Sequence, residues 1–223
     1  MSWTVSWSWQ APSRISAIAS IDGQLAVAYG LNLVLFNESN EIQWKQTMPF
    51  KVHAICNGEG TIGILAAHGF FVLKTVDGTM LHEGRSSPGG FLHLLHRPGG
   101  GWIVSGRDGN LHLFDSNGKG IRRISSGIVR RLVGWLDREH LLWQSSDGVM
   151  LCGQIANQDK RRVIDTTVWS WCSMLMDGRL LLLSSDGQLW EGTPHPFGWD
   201  SMDRVETDSL EPLMATRAGD GWW

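Results

Sequence analysis

The sequence predicts an all-β fold, a β-propeller of about six four-stranded blades, and three observations carry that expectation. One hairpin motif is rewritten along the chain. Short apolar runs separated by turn residues come in groups of four at a constant period. No stretch shows convincing helical periodicity. The motif is clearest at Ser105-Gly106-Arg107-Asp108-Gly109-Asn110-Leu111-His112-Leu113-Phe114. It returns as Gln144-Ser145-Ser146-Asp147-Gly148-Val149-Met150-Leu151 and as Leu183-Ser184-Ser185-Asp186-Gly187-Gln188-Leu189-Trp190. The separations 147 minus 108 and 186 minus 147 are both 39. Asp-Gly favours a tight hairpin turn in which both central residues take positive φ. A hairpin recurring every ~40 residues is the period of a propeller or a related repeat architecture.

The same hairpin extends towards the N-terminus. Leu33-Val34-Leu35-Phe36 matches Leu111-His112-Leu113-Phe114, and Phe71-Val72-Leu73-Lys74, after the turn at His68-Gly69, fills the slot between them. Upstream of each hairpin lies another apolar strand and a turn. These are Ser16-Ala17-Ile18 with Asp22-Gly23, His53-Ala54-Ile55 with Gly58-Glu59-Gly60, and 92–95 with Gly99-Gly100-Gly101. Two more follow, 131–135 with Asp137-Arg138 and 169–176 with Asp177-Gly178. After most hairpins a polar turn leads to a last strand, such as Ile42-Gln43-Trp44, Met80-Leu81-His82 and 121–124.

Each repeat therefore holds four antiparallel strands, A to D, over residues 13–50, 51–89, 90–126, 127–165 and 166–206. Strand B is continuously apolar, as in 62–66 and 180–183, which is what a strand covered on both faces needs. Strand D is polar, as an outer edge should be. A single unit of this kind cannot bury both faces, so neighbours must stack.

A sixth unit is expected from 207–223 together with 1–12. The run from Met214 to Trp222 parallels that from Leu94 to Trp102 and supplies strand A, a turn and the first residues of strand B. The N-terminal Trp3 to Trp9 is expected to be an outer strand that closes the ring, because Trp9 to Ile18 echoes Trp44 to Ile55. The last blade is then either short or continued beyond Trp223, and the second alternative is favoured. Thr193-Pro194-His195-Pro196-Phe197-Gly198-Trp199-Asp200 reads as a Pro-rich insertion before the last strand of the fifth repeat.

Bulk composition narrows the function classes. Nineteen Lys and Arg stand against 22 Asp and Glu, so no global field points to nucleic acid or acidic lipid, and any basic site must be local. Thirteen Trp against one Tyr suggests rigid aromatic filler in the core and between blades. Cys56, Cys152 and Cys172 are odd in number and show no metal-ligand spacing, which predicts a reducing, cytoplasmic compartment without structural disulfides. The N-terminus has no signal-peptide pattern, and no window approaches the ~18 apolar residues of a membrane span.

The turn-strand rhythm resembles that of the WD-repeat and quinoprotein-like β-propellers. Leu113-Phe114-Asp115-Ser116-Asn117-Gly118-Lys119 carries it, as does the stretch from Val34 to Trp44, where a Trp follows the turn. The resemblance implies that Trp44 docks between blades, with Trp9 as a second copy. The Gly-His and strand-ending Trp-Asp pairs of WD repeats are absent.

Candidate chemistry is sparse. His93 and His96 lie three apart, which on a strand sends them to opposite faces; with His53 they are the candidates for a channel ligand or metal site, the weaker alternative. Asp108, Asp147 and Asp186 recur at equivalent turns, so a structural role is expected rather than a catalytic pair. Gly99-Gly100-Gly101 lacks the helix and Lys of a phosphate loop and reads as a turn. No catalytic residue, metal or cofactor is expected. The most specific signal is basic: Arg122-Arg123, Arg130-Arg131 and Lys160-Arg161-Arg162, expected on one sector of the third and fourth units. Arginine offers a planar fork to oxyanions, but charged outer strands also guard against edge pairing. The expected function is a non-catalytic protein-interaction scaffold. Nucleic-acid or acidic-partner binding through the basic sector, or a small-ligand site in the channel, is the alternative.

Overall fold

The computed structural model describes residues 7–85, 89–156, 161–175, 177–206, 217–218 and 221–222. Strands form where the short apolar runs lie, and turns form at the Gly, Asp and Asn positions between them. The first sheet holds β1 (Ile15–Ile21), β2 (Gln24–Tyr29), β3 (Asn32–Phe36) and β4 (Ile42–Thr47). The second holds β5 (Val52–Gly58), β6 (Thr61–Ala66), β7 (Gly69–Lys74) and β8 (Met80–Arg85). The third holds β9 (Phe91–His96), β10 (Trp102–Gly106), β11 (Asn110–Phe114) and β12 (Gly120–Ser125). The fourth holds β13 (Val129–Trp135), β14 (His140–Ser145), β15 (Met150–Gln154) and β16 (Arg161–Asp165). The fifth holds β17 (Trp169–Met174), β18 (Leu180–Ser184), β19 (Leu189–His195) and β20 (Gly198–Arg204). A two-stranded ribbon, β21 (Arg217–Ala218) and β22 (Gly221–Trp222), follows. The described residues contain no helix.

Every four-stranded sheet is antiparallel and runs in chain order, A to D. The middle strands are the most enclosed: β6 has five successive buried residues and β10 is buried throughout. The fourth strand is the most exposed, with five of six residues of β12 open to solvent. The predicted units and the polarity gradient across them therefore coincide with the sheets.

The chain divides into two compact units, 1–123 and 124–223. In the first, alternate side chains of one strand serve two neighbours. Ile62 and Ile64 of β6, with Phe71 and Leu73 of β7, join Leu33 and Leu35 of the first sheet. Leu65, Phe70 and Val72 face the other way and meet Phe91, Trp102 and Val104 of the third. Trp102 needs room there, because a Cβ added at Gly63 would lie 2.5 Å from its ring. In the second unit, Leu142, Met150 and Cys152 of the fourth sheet pack with Trp169, Cys172 and Leu182 of the fifth. An isolated hairpin is marginal in water, and this face-to-face burial supplies what each sheet lacks alone.

Two local expectations change. Asp22-Gly23 is the two-residue turn with positive φ at both centres, +48° and +82°. At the repeated Asp-Gly turns only the glycine is left-handed, for instance Gly148 at +90°, with its N–H donating to Ser145 O at 3.0 Å and Ser145 N–H donating to Val149 O. That is a type I turn closed by a glycine bulge, the three-residue hairpin loop. The stretch 193–200 is not an insertion. β19 and β20 simply run longer, pairing Thr193 with Ser201 and His195 with Gly198 around a turn at Pro196-Phe197.

Candidate interaction surface

Arg122 and Arg123 are exposed on β12, the outer strand of the third sheet. Arg130 and Arg131 sit on β13, the innermost strand of the fourth sheet; Arg161 and Arg162 sit exposed on β16, its outermost strand. Three strand spacings, ~14 Å, separate those two pairs. The fourth sheet thus divides its basic residues between two edges. Lys160 lies outside the described residues.

Several of these arginines already bridge the fourth and fifth sheets. Arg130 Nη2 donates to Ser170 O at 3.3 Å, and Arg131 Nη1 donates to Cys172 O at 3.1 Å. The Arg131 guanidinium also lies 5.5 Å from the Trp171 ring centroid, and that of Arg162 lies 4.7 Å from Phe197. Cation–π contact and carbonyl capture use part of each fork and leave the remaining N–H groups facing outwards. Arg122 and Arg161 make no such bridge among the described residues.

His82 stands in a position that sequence reasoning recognised only at Trp44. The Trp44 indole donates to Thr75 O at 2.7 Å and lies against Gly78, in the last turn of the next sheet. His82 lies in the same way against Gly118 of the third sheet, where an added Cβ would sit 2.5 Å from the imidazole stem. Trp44 and His82 thus plug one recurring slot with two chemistries, while Arg162 lies over the exposed Phe197 in the last turn of the next sheet. The available signal was the glycine of the receiving turn, Gly78 or Gly118, rather than the residue that docks. Trp9 packs on the first sheet, 5.1 Å from Phe36 and 5.5 Å from Tyr29 between ring centroids.

The turn aspartates are structural. The Ser145 and Ser184 hydroxyls donate to Asp147 and Asp186, and those bonds are the main reason both carboxyls stay below the usual range. The third copy has Gly106 in place of the serine. There His112 fills the space, its Nε2 at 3.0 Å from Asp108, and an added Cβ at Gly106 would lie 2.9 Å from that nitrogen. Partial burial works to raise the Asp108 pKa, but hydrogen bonds from Asn110 and His112 outweigh it. A further carboxylate went unread in the sequence. Asp165 Oδ2 accepts both the Trp169 indole at 2.9 Å and the Trp199 indole at 3.2 Å, tying β16, β17 and β20 together.

His93 and His96 do not converge. His96 meets the Trp102 ring edge-on at 5.1 Å, and alternation along β9 sends His93 to the opposite face. Among the described residues no group of three or more His, Cys, Asp or Glu is placed to hold a metal. On the outer hairpin of the fifth sheet, Arg179, Glu191, Ser201 and Asp203 line an open polar cavity of about 220 Å³. Asp177 and Glu191 already hold Arg179 there.

No protein-family model matches the chain, and no curated protein matches it in sequence. The chain is similar in structure to BamB from Moraxella catarrhalis, with a TM-score of 0.63 and 12% sequence identity over 90% of this chain and 67% of that one. At that identity the likeness is one of fold. With five four-stranded antiparallel sheets in chain order, it identifies the fold as a β-propeller.

Proposed function

We propose that this protein is a non-catalytic interaction scaffold, a single six-bladed propeller whose sixth blade is made by 207–223 together with 1–12. The β21–β22 ribbon and the packing of Trp9 on the first sheet support the sixth blade. The observation that carries the function is the placement of arginine. Arg122, Arg123, Arg161 and Arg162 stand exposed on outer strands, where a carboxylate-bearing protein partner can engage several forks at once. Arg130, Arg131 and Lys160 belong to the same proposed contact. A reducing, cytoplasmic location suits the three free thiols.

The test is a pull-down of the tagged chain from its native lysate after nuclease treatment, run beside an Arg122→Glu/Arg123→Glu/Arg161→Glu variant. A near-stoichiometric partner lost by about tenfold in the variant is the expected result. A partner retained equally by both proteins would remove these arginines from the contact. Nucleic-acid binding, the second reading, rests on the same exposed forks. It requires retention to vanish with nuclease and affinity to fall steeply with salt, by roughly one power of concentration for each phosphate contacted.

A further inference from the structure

The seam between the second and third sheets differs from its neighbours in what titrates there. The first and second sheets meet through aliphatic side chains and the Trp44 indole. The fourth and fifth pack Leu142, Met150 and Cys152 against Trp169, Cys172 and Leu182, with Arg130, Arg131 and Arg162 as further ties. Between the second and third sheets stand three imidazoles. His82 reaches from β8 onto Gly118, with Phe70 at 5.9 Å and Phe114 at 6.4 Å between ring centroids. His96, on β9, is pressed on Trp102, which itself fills the space above Gly58 and Gly63 of the second sheet. His53, more open to solvent, hydrogen-bonds from β5 to the backbone of Phe91 across the seam.

We propose that this seam is an acid-sensitive joint, in which protonation of His82 and His96 loosens the contact between the second and third sheets while the first–second and fourth–fifth contacts hold. The neutral rings suit a half-buried aromatic seam, whereas imidazolium demands more water than the closed seam supplies. Burial is the largest influence on all three and lowers each pKa. The opposing influences are few. Asp115 and Glu83 act on His82, Glu59 acts on His96, and the Phe91 backbone bond acts on His53, each favouring the proton without outweighing burial. Arg97, next to His96 and repelled by Arg122, adds positive charge at the same end. His112 lies on the same side of β11 as Phe114, 5.1 Å from the Phe91 ring between centroids, with its Nε2 held by Asp108.

The sign follows from linkage. Because the folded pKa values lie below the ordinary ~6.5, the seam is fully stable above that pH. It weakens as pH falls through 6.5 towards the folded values. The turn aspartates, held below the usual carboxylate range, do not titrate in this window. Opening would uncover Phe70, Phe91 and Phe114, an aromatic surface that the closed seam conceals.

The experiment compares thermal unfolding of the full chain at pH 7.5 and 5.5 with that of a His82→Phe/His96→Phe variant. Hydrogen exchange is followed along β5 to β12 in both proteins. We expect the Tm of the natural chain to fall by about 5 °C or more over this range and the variant to lose at most half as much. Acid-enhanced exchange should concentrate at the second and third sheets. Equal losses in both proteins, or exchange spread evenly over all five sheets, would overturn the proposal. Should the variant not fold, NMR titration of the imidazole C2–H resonances in the natural chain decides. Midpoints for His82 and His96 at or above the ordinary value would refute it.

Discussion

Gly118 and Gly99 share a left-handed backbone, with φ of +87° and +82°, yet the structure asks different things of them. A side chain on Gly99 would meet nothing within 4 Å, whereas one on Gly118 would run into His82. Gly99→Ala should therefore cost the backbone strain alone, about 1 kcal/mol. Gly118→Ala should cost a further 1–3 kcal/mol, roughly, because the imidazole must leave its slot. Urea unfolding of the two variants checks the difference, and equal costs would mean that His82 yields freely. The pair also marks how far a sequence can be read. Both glycines announce a turn, but only the docked neighbour distinguishes them, and that neighbour lies 36 positions before Gly118.

At the scale of the element, the two edge strands of one sheet carry different burdens. β13 presents Arg131 to a carbonyl and a ring of the fifth sheet, while β16 presents Arg161 to solvent. Arg131→Met keeps an apolar stem but leaves Cys172 O without its donor. It should lower stability by about 1 kcal/mol, after allowance for the residue's partial exposure. Arg161→Met should change stability by less than about 0.5 kcal/mol. Thermal unfolding of both variants measures this. Equal effects would show that the Arg131 bridge contributes nothing. The basic dipeptides were visible in the sequence as charge; their division between inter-sheet ties and exposed outer strands was not, because it depends on which strand of the sheet each occupies.

For the whole molecule, the three thiols report on integrity. Burial pushes Cys56, Cys152 and Cys172 each up to about 11. The reactive species is the thiolate, so at pH 8 the folded chain should react with a thiol reagent about two orders of magnitude more slowly than the unfolded chain. Stopped-flow labelling in native buffer and in urea gives that ratio. Rapid native labelling of Cys152 or Cys172 would show that the packing of the fourth against the fifth sheet opens readily. Cys56, in the second sheet, reports in the same way on the first unit.

What the sequence determined by itself was the rhythm: strand type, strand order, the turn positions and the gradient from buried second strand to polar fourth. All of these follow from contacts between residues close in the chain, through side-chain alternation, apolar runs and the conformational freedom of glycine. The docked residues, the two indoles shared by Asp165 and the histidine-lined seam were decided only by tertiary structure. Each depends on which side chain of one sheet meets which turn of the next, about 40 residues away, and on how much water is left between them. A Trp and a His fill one slot because the slot demands volume and a fitted surface rather than a residue type.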